Sequence, residues 1–438
     1  MTVTTLDIIA GVILLIAAVV DLLPVFSRDL MMFQQNSYRK ERYMRWFSQS
    51  GESVNIGRIF CCIALFFLLI TRIPFWATAI VGIIITSVQA AGLYRKKYKK
   101  PLAWTARAKR IYGVMIGLSA VVATLCGIFW GLYGACVALI AILVVSPVVL
   151  LLSNDLLRPV EKSINRKYYN EAAAILKSMP GLKIIGITGS YGKTSTKHYL
   201  NRILQEHFST TMTPGSFNTT LGVIRTIREH LQPYNEVFIV EMGAKQPGDI
   251  KEICDLVHPS MGIITAVGEQ HLESFKSIEN VQRTKFELAD ALPADGTVVV
   301  NNDFPYVASR AVENTGCIRY GVSDTDKADM VAGDIAYTPS GTTFTVSGPL
   351  LESPMTLHTK LVGECNVSNL LAAVTIALKL GVPADKIKYA VGAIDQVEHR
   401  LNMKRTPGGI TIIDDAFNSN PQGSKMALDV LSMMTTGK

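Results

Sequence analysis

The sequence predicts a multi-pass α-helical membrane domain followed by an α/β domain built on a mostly parallel sheet. Three observations predict it. Long apolar runs fill the first 168 of 438 residues. Positive charge gathers between those runs, and from Leu182 short β-rich runs alternate with helical stretches.

A helix crossing the hydrocarbon core of a bilayer needs about 20 apolar residues. Five stretches approach that length: Leu6–Phe26, Ser53–Ile70, Pro74–Leu93, Tyr112–Trp130 and Leu132–Leu152. The first lacks a basic leading segment and has Asp7 and Asp21 in or beside it, which argues against a cleavable signal peptide. Lys and Arg crowd the loops "SRDLMMFQQNSYRKERYMRWF" and "RKKYKKPLAWTARAKR" and the segment "RPVEKSINRK", whereas "ITRIP" has one and "WGLYG" none. The positive-inside rule then puts the basic loops and everything after Ser153 in the cytoplasm, with the N-terminus outside the cell membrane. An odd number of spans makes these assignments agree. Asp21, near one end of its run, fits an interfacial position as well as a functional one, and Arg58 is expected to snorkel.

Charge divides along the same line. Residues 1–168 carry 19 Lys and Arg against 7 Asp and Glu, a net +12, and the remainder is net −4. Because the cations lie between apolar runs, anionic lipid and topology account for them, and nucleic acid is not an expected partner. The seven cysteines form no CxxC pair and no metal-ligand spacing, so reduced thiols are expected.

In the α/β part, "LKIIGIT" reads as a buried strand followed by a helix over Lys193–His207. "EVFIVEM" precedes a helix over Pro247–Val257, "MGIITAV" precedes one over Ile278–Leu292, and "GTVVVN" closes the series. Ligands of such sheets bind at the carboxyl ends of the strands. There lies "ITGSYGKTSTK", in which Gly189, Ser190, Gly192 and Ser195 surround Lys193 and Thr194. Backbone N–H groups at a helix start, a lysine for the β/γ phosphates and a hydroxyl for Mg²⁺ predict nucleotide binding, with ATP and Mg²⁺ as cofactors. Strict GxxxxGK[ST] spacing requires glycine at Ile187, so this loop is a variant. Glu241 ends one predicted strand and His271 follows another. Around one phosphate loop, the two point to a shared metal site.

Seven segments in this order resemble the Mur ligase family of ATP-dependent amide ligases: "GITGSYGKTSTK", "TPGSFNTTLGV", "EMGAKQPGDI", "GEQHLESFKSIENVQRTKFEL", "GECNVSNLLAAVTIALKLGV", "HRLN" and "IDDAFNSNP". They look most like the branch that adds D-alanyl-D-alanine to UDP-MurNAc-tripeptide. The resemblance runs from about Lys183 to the chain end and implies a P-loop Mur-ligase central α/β domain over 169–400 and the incomplete start of a C-terminal α/β domain over 401–438, behind a membrane domain of about five helices over 1–168. It implies that Lys193 and the loop amides bind ATP, that Thr194 and Glu241 hold one Mg²⁺, and that His271 helps hold a second. Lys285 matches a lysine carbamylated in many members, while Asn366, Arg400 and Asp415 match positions that meet adenine, phosphate and ribose.

Two departures stand out: Glu364-Cys365 where the family usually has Arg-His, and Phe417 where tyrosine is common. The membrane helices take the place of the family's UDP-binding domain, and the short end leaves two expectations, a truncated chain or a partner protein that completes the C-terminal domain. The expected activity is a membrane-bound peptide ligase acting through an acyl phosphate on a cell-envelope precursor, lipid-linked or UDP-linked, with an amino acid or peptide amine. Two other classes compete: an ATP-driven transporter, weakened by the lack of an "LSGGQ"-like stretch, and a non-catalytic scaffold, opposed by Lys193, Glu241, His271 and Lys285.

Overall fold

The computed structural model describes residues 4–70, 72–270, 272–323, 325–338, 341–406, 408, 410–416 and 421–433. The chain divides into two compact units, residues 1–164 and 165–438.

The first unit is helical: α1 (Thr5–Gln35), α2 (Lys40–Gln49), a short 3-10 turn (Glu52–Val54), α3 (Ile56–Leu69), α4 (Phe75–Arg95), α5 (Ala106–Val144) and the start of α6 (Ser146–Lys177). Polar caps set the starts. Thr4 and Asp7 form a reciprocal capping box on α1, Asn55 accepts from Arg58 N, and Thr105 accepts from Ala108 N. Asp7 Oδ1 accepts from Trp76 N at 3.0 Å and Leu14 packs on Gly82, so α1 and α4 run side by side in the same direction. Among the described residues, α1, α4 and α5 are long and apolar enough to cross a membrane, whereas α3 is a shorter apolar helix of 14 residues.

Within α5, Trp130 and Gly131 leave helical geometry, Gly131 at φ +61°, which glycine adopts without penalty. The chain folds back there: a Cβ placed on Gly127 would meet the Ala135 Cβ at 3.6 Å. This break falls between the fourth and fifth apolar runs. The fifth run is not one helix, however, because α5 ends at Val144 and α6 begins at Ser146. Pro147 lacks an N–H and is tolerated in a first helical turn, not in mid-helix.

Two side chains depart from the sequence reading. Arg58 does not snorkel outward but turns inward, 3.2 Å from the buried Asp29 carboxylate, whose other oxygen accepts from Ser146 Oγ at 2.6 Å. Asp21 is fully buried, and neither carboxyl oxygen has a hydrogen-bond partner among the described residues.

The second unit continues through β1 (Lys183–Thr188), α7 (Lys193–Leu204), β2 (Thr210–Met212), α8 (Thr220–Glu229), β3 (Val237–Glu241), α9 (Asp249–Val257), β4 (Met261–Ile264), α10 (Leu272–Phe275), α11 (Ile278–Asp290), β5 (Thr297–Asn301) and α12 (Pro305–Ala308). Then come β6 (Gly316–Gly321), β7 (Met330–Thr338), β8 (Gly341–Ser347), β9 (Met355–Thr359), α13 (Glu364–Lys379), α14 (Ala384–Gly392), β10 (Asn402–Arg405), β11 (Thr411–Asp414) and α15 (Pro421–Met433).

Among the described residues, nine strands form one sheet in the order β2-β3-β1-β4-β5-β6-β7-β8-β9, and β10 and β11 form a separate antiparallel pair. Pairings from β2 through β7 are parallel, and β7-β8-β9 is an antiparallel tail. The sheet is therefore mixed, with a parallel half where the sequence predicts one. Strand alternation sorts the core onto its two faces. Ile185, Ile187 and Ile239 pack with α7 and α13, while Ile184, Phe238 and Val240 pack with α9 and α11. Burial of these runs on both faces explains why the strands read as continuous apolar stretches.

Candidate functional site

The chain leaves β1, forms β2 and β3 on one side of it, then crosses back to β4 on the other. Strand order reverses at β1, so a crevice opens beyond its carboxyl end, where open α/β sheets hold ligands. Residues 189–192 occupy that position and lead into α7.

Gly189 has φ +150°, and a Cβ there would lie 2.1 Å from Thr265 Oγ1. Gly192 has φ +80°, and a Cβ there would lie 2.4 Å from Asn369 Oδ1. The loop is stitched to the segment after β4: Ser190 N donates to Ala266 O at 2.8 Å, while Ser190 Oγ donates to Gly268 O and accepts from Gly268 N, both at 3.1 Å. Ser190 thus works as a strut. Replacing Gly189 with alanine is expected to destabilise the second unit by about 1–3 kcal/mol, the usual cost of a non-glycine residue in such a conformation, and to weaken nucleotide binding. Chemical denaturation and ATP titration check it, and wild-type values in both would contradict the loop geometry.

The Lys193 ammonium turns onto the loop's own carbonyls, Gly189 O at 2.5 Å and Ser190 O at 3.2 Å. Burial lowers its pKa to about 8, opposed by the Glu241 carboxylate and assisted by Arg400. Thr194 Oγ1 accepts from Arg400 Nη2 at 3.4 Å. Ser195 is buried beneath the loop.

Glu241 ends β3 in register with Ile187 and is 1 % exposed. Asn218 Nδ2 donates to its Oε1 at 3.1 Å, and Lys197 Nζ lies 3.0 Å from its Oε2. That ion pair leaves Oε2 without an aligned hydrogen bond. Burial pushes the carboxyl up, but Lys197, Lys193 and Asn218 outweigh burial and hold it below the usual range. It is an anion. A buried oxygen with spare lone pairs beside the Thr194 helix start suits a hard divalent cation such as Mg²⁺. Among the described residues no group of three or more His, Cys, Asp and Glu gathers as a metal cage. Mg²⁺ rarely needs one, since it takes one or two carboxylates plus water and phosphate oxygens. His271 lies outside the described residues.

Lys285 on α11 is buried, and burial, then the charge of Lys193, lowers its pKa to about 7, with Glu287 and Asp249 opposing. Glu287 caps the start of α9, accepting from Gly248 N at 2.7 Å and Lys251 N at 2.9 Å. Asn366 opens α13 with its amide engaged, accepting from Tyr199 Oη at 2.8 Å and donating to Val362 O at 2.9 Å. Asp415 accepts from Leu401 N at 3.2 Å, with its carboxyl raised by burial.

The structure therefore gathers Lys193, Thr194, Glu241 and Arg400, with Lys285 close enough to feel the Lys193 charge. Sequence reasoning missed Lys197, Asn218 and Asn369. Asn369 Oδ1 accepts from Thr196 Oγ1 at 3.1 Å and ties α13 to the phosphate-loop helix. The signal for Lys197 was its place one helical turn after Lys193, on the same face of α7.

Residues 187–377 match the Mur ligase middle domain family. The chain is 35% identical over 258 residues to the UDP-N-acetylmuramoyl-tripeptide–D-alanyl-D-alanine ligase of Mycobacterium tuberculosis (strain ATCC 25618 / H37Rv), covering 58% of this chain and 49% of that protein. It is 29% identical over 260 residues to the same ligase of Bacillus subtilis (strain 168), covering 59% and 54%. Among solved structures, MurF from Acinetobacter baumannii superposes with TM-score 0.57 at 28% identity, covering 61% of this chain and 58% of that one. MurF ligase from Thermotoga maritima in complex with ADP gives TM-score 0.56 at 25% identity, covering 61% and 60%. The chain spans about half the length of the relatives it matches.

Proposed function

From a chain that carries a Mur ligase middle domain at residues 187–377, we infer an ATP-dependent carboxylate–amine ligase of cell-envelope synthesis, held at the membrane by its first unit. One observation carries the reading: at the switch point of the sheet the phosphate-loop lysine lies within electrostatic reach of a buried glutamate held in its ionised form. Lys193 and the loop amides bind and orient the ATP phosphates. Thr194 Oγ1 and Glu241 hold Mg²⁺, which when bound offsets charge on the phosphates. His271 supports a second metal, and Asn366, Arg400 and Asp415 line the nucleotide.

In the reaction, a substrate carboxylate oxygen attacks the γ-phosphorus and ADP leaves with the broken P–O bond. An amine nitrogen then attacks the acyl carbon, the C–O bond to phosphate breaks, and the amine gives up a proton. Positioning and charge neutralisation do most of this work, as in other phosphoryl transfers. The relatives' D-alanyl-D-alanine chemistry favours a peptide amine and a muramoyl-peptide carboxylate.

The membrane location rests on α1, α4 and α5 and on apolar side chains they expose, such as Ile13, Ile16, Val20, Ile84, Val88 and Ile128. An apolar surface of that extent suits lipid. With the basic loops 39–45 and 95–110 on the cytoplasmic side, the acceptor is a lipid-linked precursor whose pyrophosphate they hold. Purified protein offered UDP-linked and lipid-linked acceptors side by side tests this. Faster turnover of the lipid-linked acceptor, lost when Lys96, Lys97, Lys99 and Lys100 become alanine, is the expected result. Equal rates that ignore those replacements leave the helices as a tether.

A further inference from the structure

Lys197 is fully buried, one turn beyond Lys193 on α7. Its ammonium lies between two acceptors, Glu241 Oε2 at 3.0 Å and the Gly215 carbonyl at 2.6 Å. The other Glu241 oxygen is already occupied by Asn218. Oε2, the oxygen left for a metal, is therefore also the one that faces Lys197. A buried carboxylate without a countercharge is strongly unfavourable. A monovalent ammonium and a divalent metal beside the same oxygen repel each other, so the two compete for Oε2.

Resting on the reading of Glu241 as the metal carboxylate, we propose that Lys197 is a positioning residue that stands in for the divalent cation. It neutralises Glu241 while no metal is bound and yields Oε2 when one binds, keeping its bond to Gly215 O. The exchange is cheap because the lysine retains one acceptor throughout. It also reaches a neighbouring loop. Thr213 Oγ1 accepts from Glu241 N at 3.0 Å and Asn218 O accepts from Gly243 N at 2.7 Å, so residues 213–218 are anchored at both ends to the strand that bears the carboxylate. Lys197 holds the middle of that loop at Gly215.

The test is thermal unfolding of the full chain in detergent with Mg²⁺ alone and no nucleotide. Lys197→Met keeps the length of the side chain and removes the charge, so Glu241 then depends on Mg²⁺. The variant should melt below wild type without metal and rise by roughly 5 °C or more on adding Mg²⁺, severalfold more than wild type. Lys197→Arg, which keeps the charge, should respond as wild type does. The double variant Lys197→Met/Glu241→Gln removes both charges and should fold without metal, melt above the single variant and ignore Mg²⁺. It keeps the test decisive even if Lys197→Met alone does not fold in metal-free buffer. An equal Mg²⁺ response in Lys197→Met and wild type overturns the proposal, and so does a double variant as unstable as the single one. A wild-type chain that does not bind MgATP overturns the nucleotide reading and the stand-in role with it, whereas MgATP binding without the Mg²⁺-specific gain overturns the stand-in role alone.

Discussion

Lys193→Ala is expected to weaken ATP binding by on the order of 10²-fold while both units stay folded. Its ammonium bonds to the Gly189 and Ser190 carbonyls of its own loop, both partly buried contacts, so its removal leaves two carbonyl oxygens to find other partners. Hydrogen bonds to charged groups contribute about 1.5–3 kcal/mol each, and about 1.4 kcal/mol is a factor of ten in affinity. Loss of one cation from a phosphate site therefore outweighs the stability cost at a partly exposed position. The first unit has a separate core built around residues such as Leu14, Phe26, Ile111 and Leu139, so its helical signal should persist. Calorimetric titration with MgATP, alongside circular dichroism, checks both halves. An affinity within a few-fold of wild type would mean that the loop does not bind phosphate.

The parts of the fold that were legible in the sequence share a physical cause. Strands β1, β3, β4 and β5 are covered by helices on both faces, so each had to be apolar throughout, and a run such as "VFIVE" leaves little ambiguity. The phosphate loop was legible because backbone approach demands glycine at Gly189 and Gly192. The antiparallel tail was not. β7 buries Met330 and Ala332 but exposes Asp334, Ala336 and Thr338, and it is broken by a register shift between Gly333 and Ala336, with Asp334 at φ +52°. Such a strand carries half the apolar signal and an interrupted period. Lys197 shows a different limit. A lysine in a helix ordinarily reads as solvated, and its burial follows from Glu241 arriving from another strand 44 positions later. Asn366 shows a third: its type matches a ligand-contacting position, but the sequence gives no sign that one lone pair and one N–H of its amide are taken by Tyr199 and Val362. Propensity and motif report what a residue can do locally. Which partner takes its hydrogen bonds is decided by tertiary packing.

Lys285→Ala is expected to lower turnover by on the order of 10²-fold or more, the usual scale for losing one charged group aimed at a transition state, and formate or acetate should restore part of it. Carbamylation is the reason proposed. The neutral amine attacks the carbon of CO₂, an N–H proton passes to solvent, and a carbamate anion replaces a cation. That step needs the unprotonated lysine, and burial with Lys193 nearby brings the pKa down to about 7, so a large fraction is neutral at physiological pH. The same shift has a sign that stability measurements can read. In the unfolded chain the group titrates near its ordinary value of 10.5, and in the folded chain near 7. Between those values the unfolded state binds the extra proton, so this lysine makes stability rise with pH across that window. Below pH 7 both states are protonated and the cost of burying the charge is present in full. Lys285→Ala lacks the titration, so it should gain on wild type as pH falls from about 10 to 7 in denaturant midpoints. Turnover of the variant that ignores short carboxylates, or equals wild type, would remove the carbamate from the mechanism. A variant whose stability tracks wild type across that pH range would place the Lys285 ammonium in water rather than in the core.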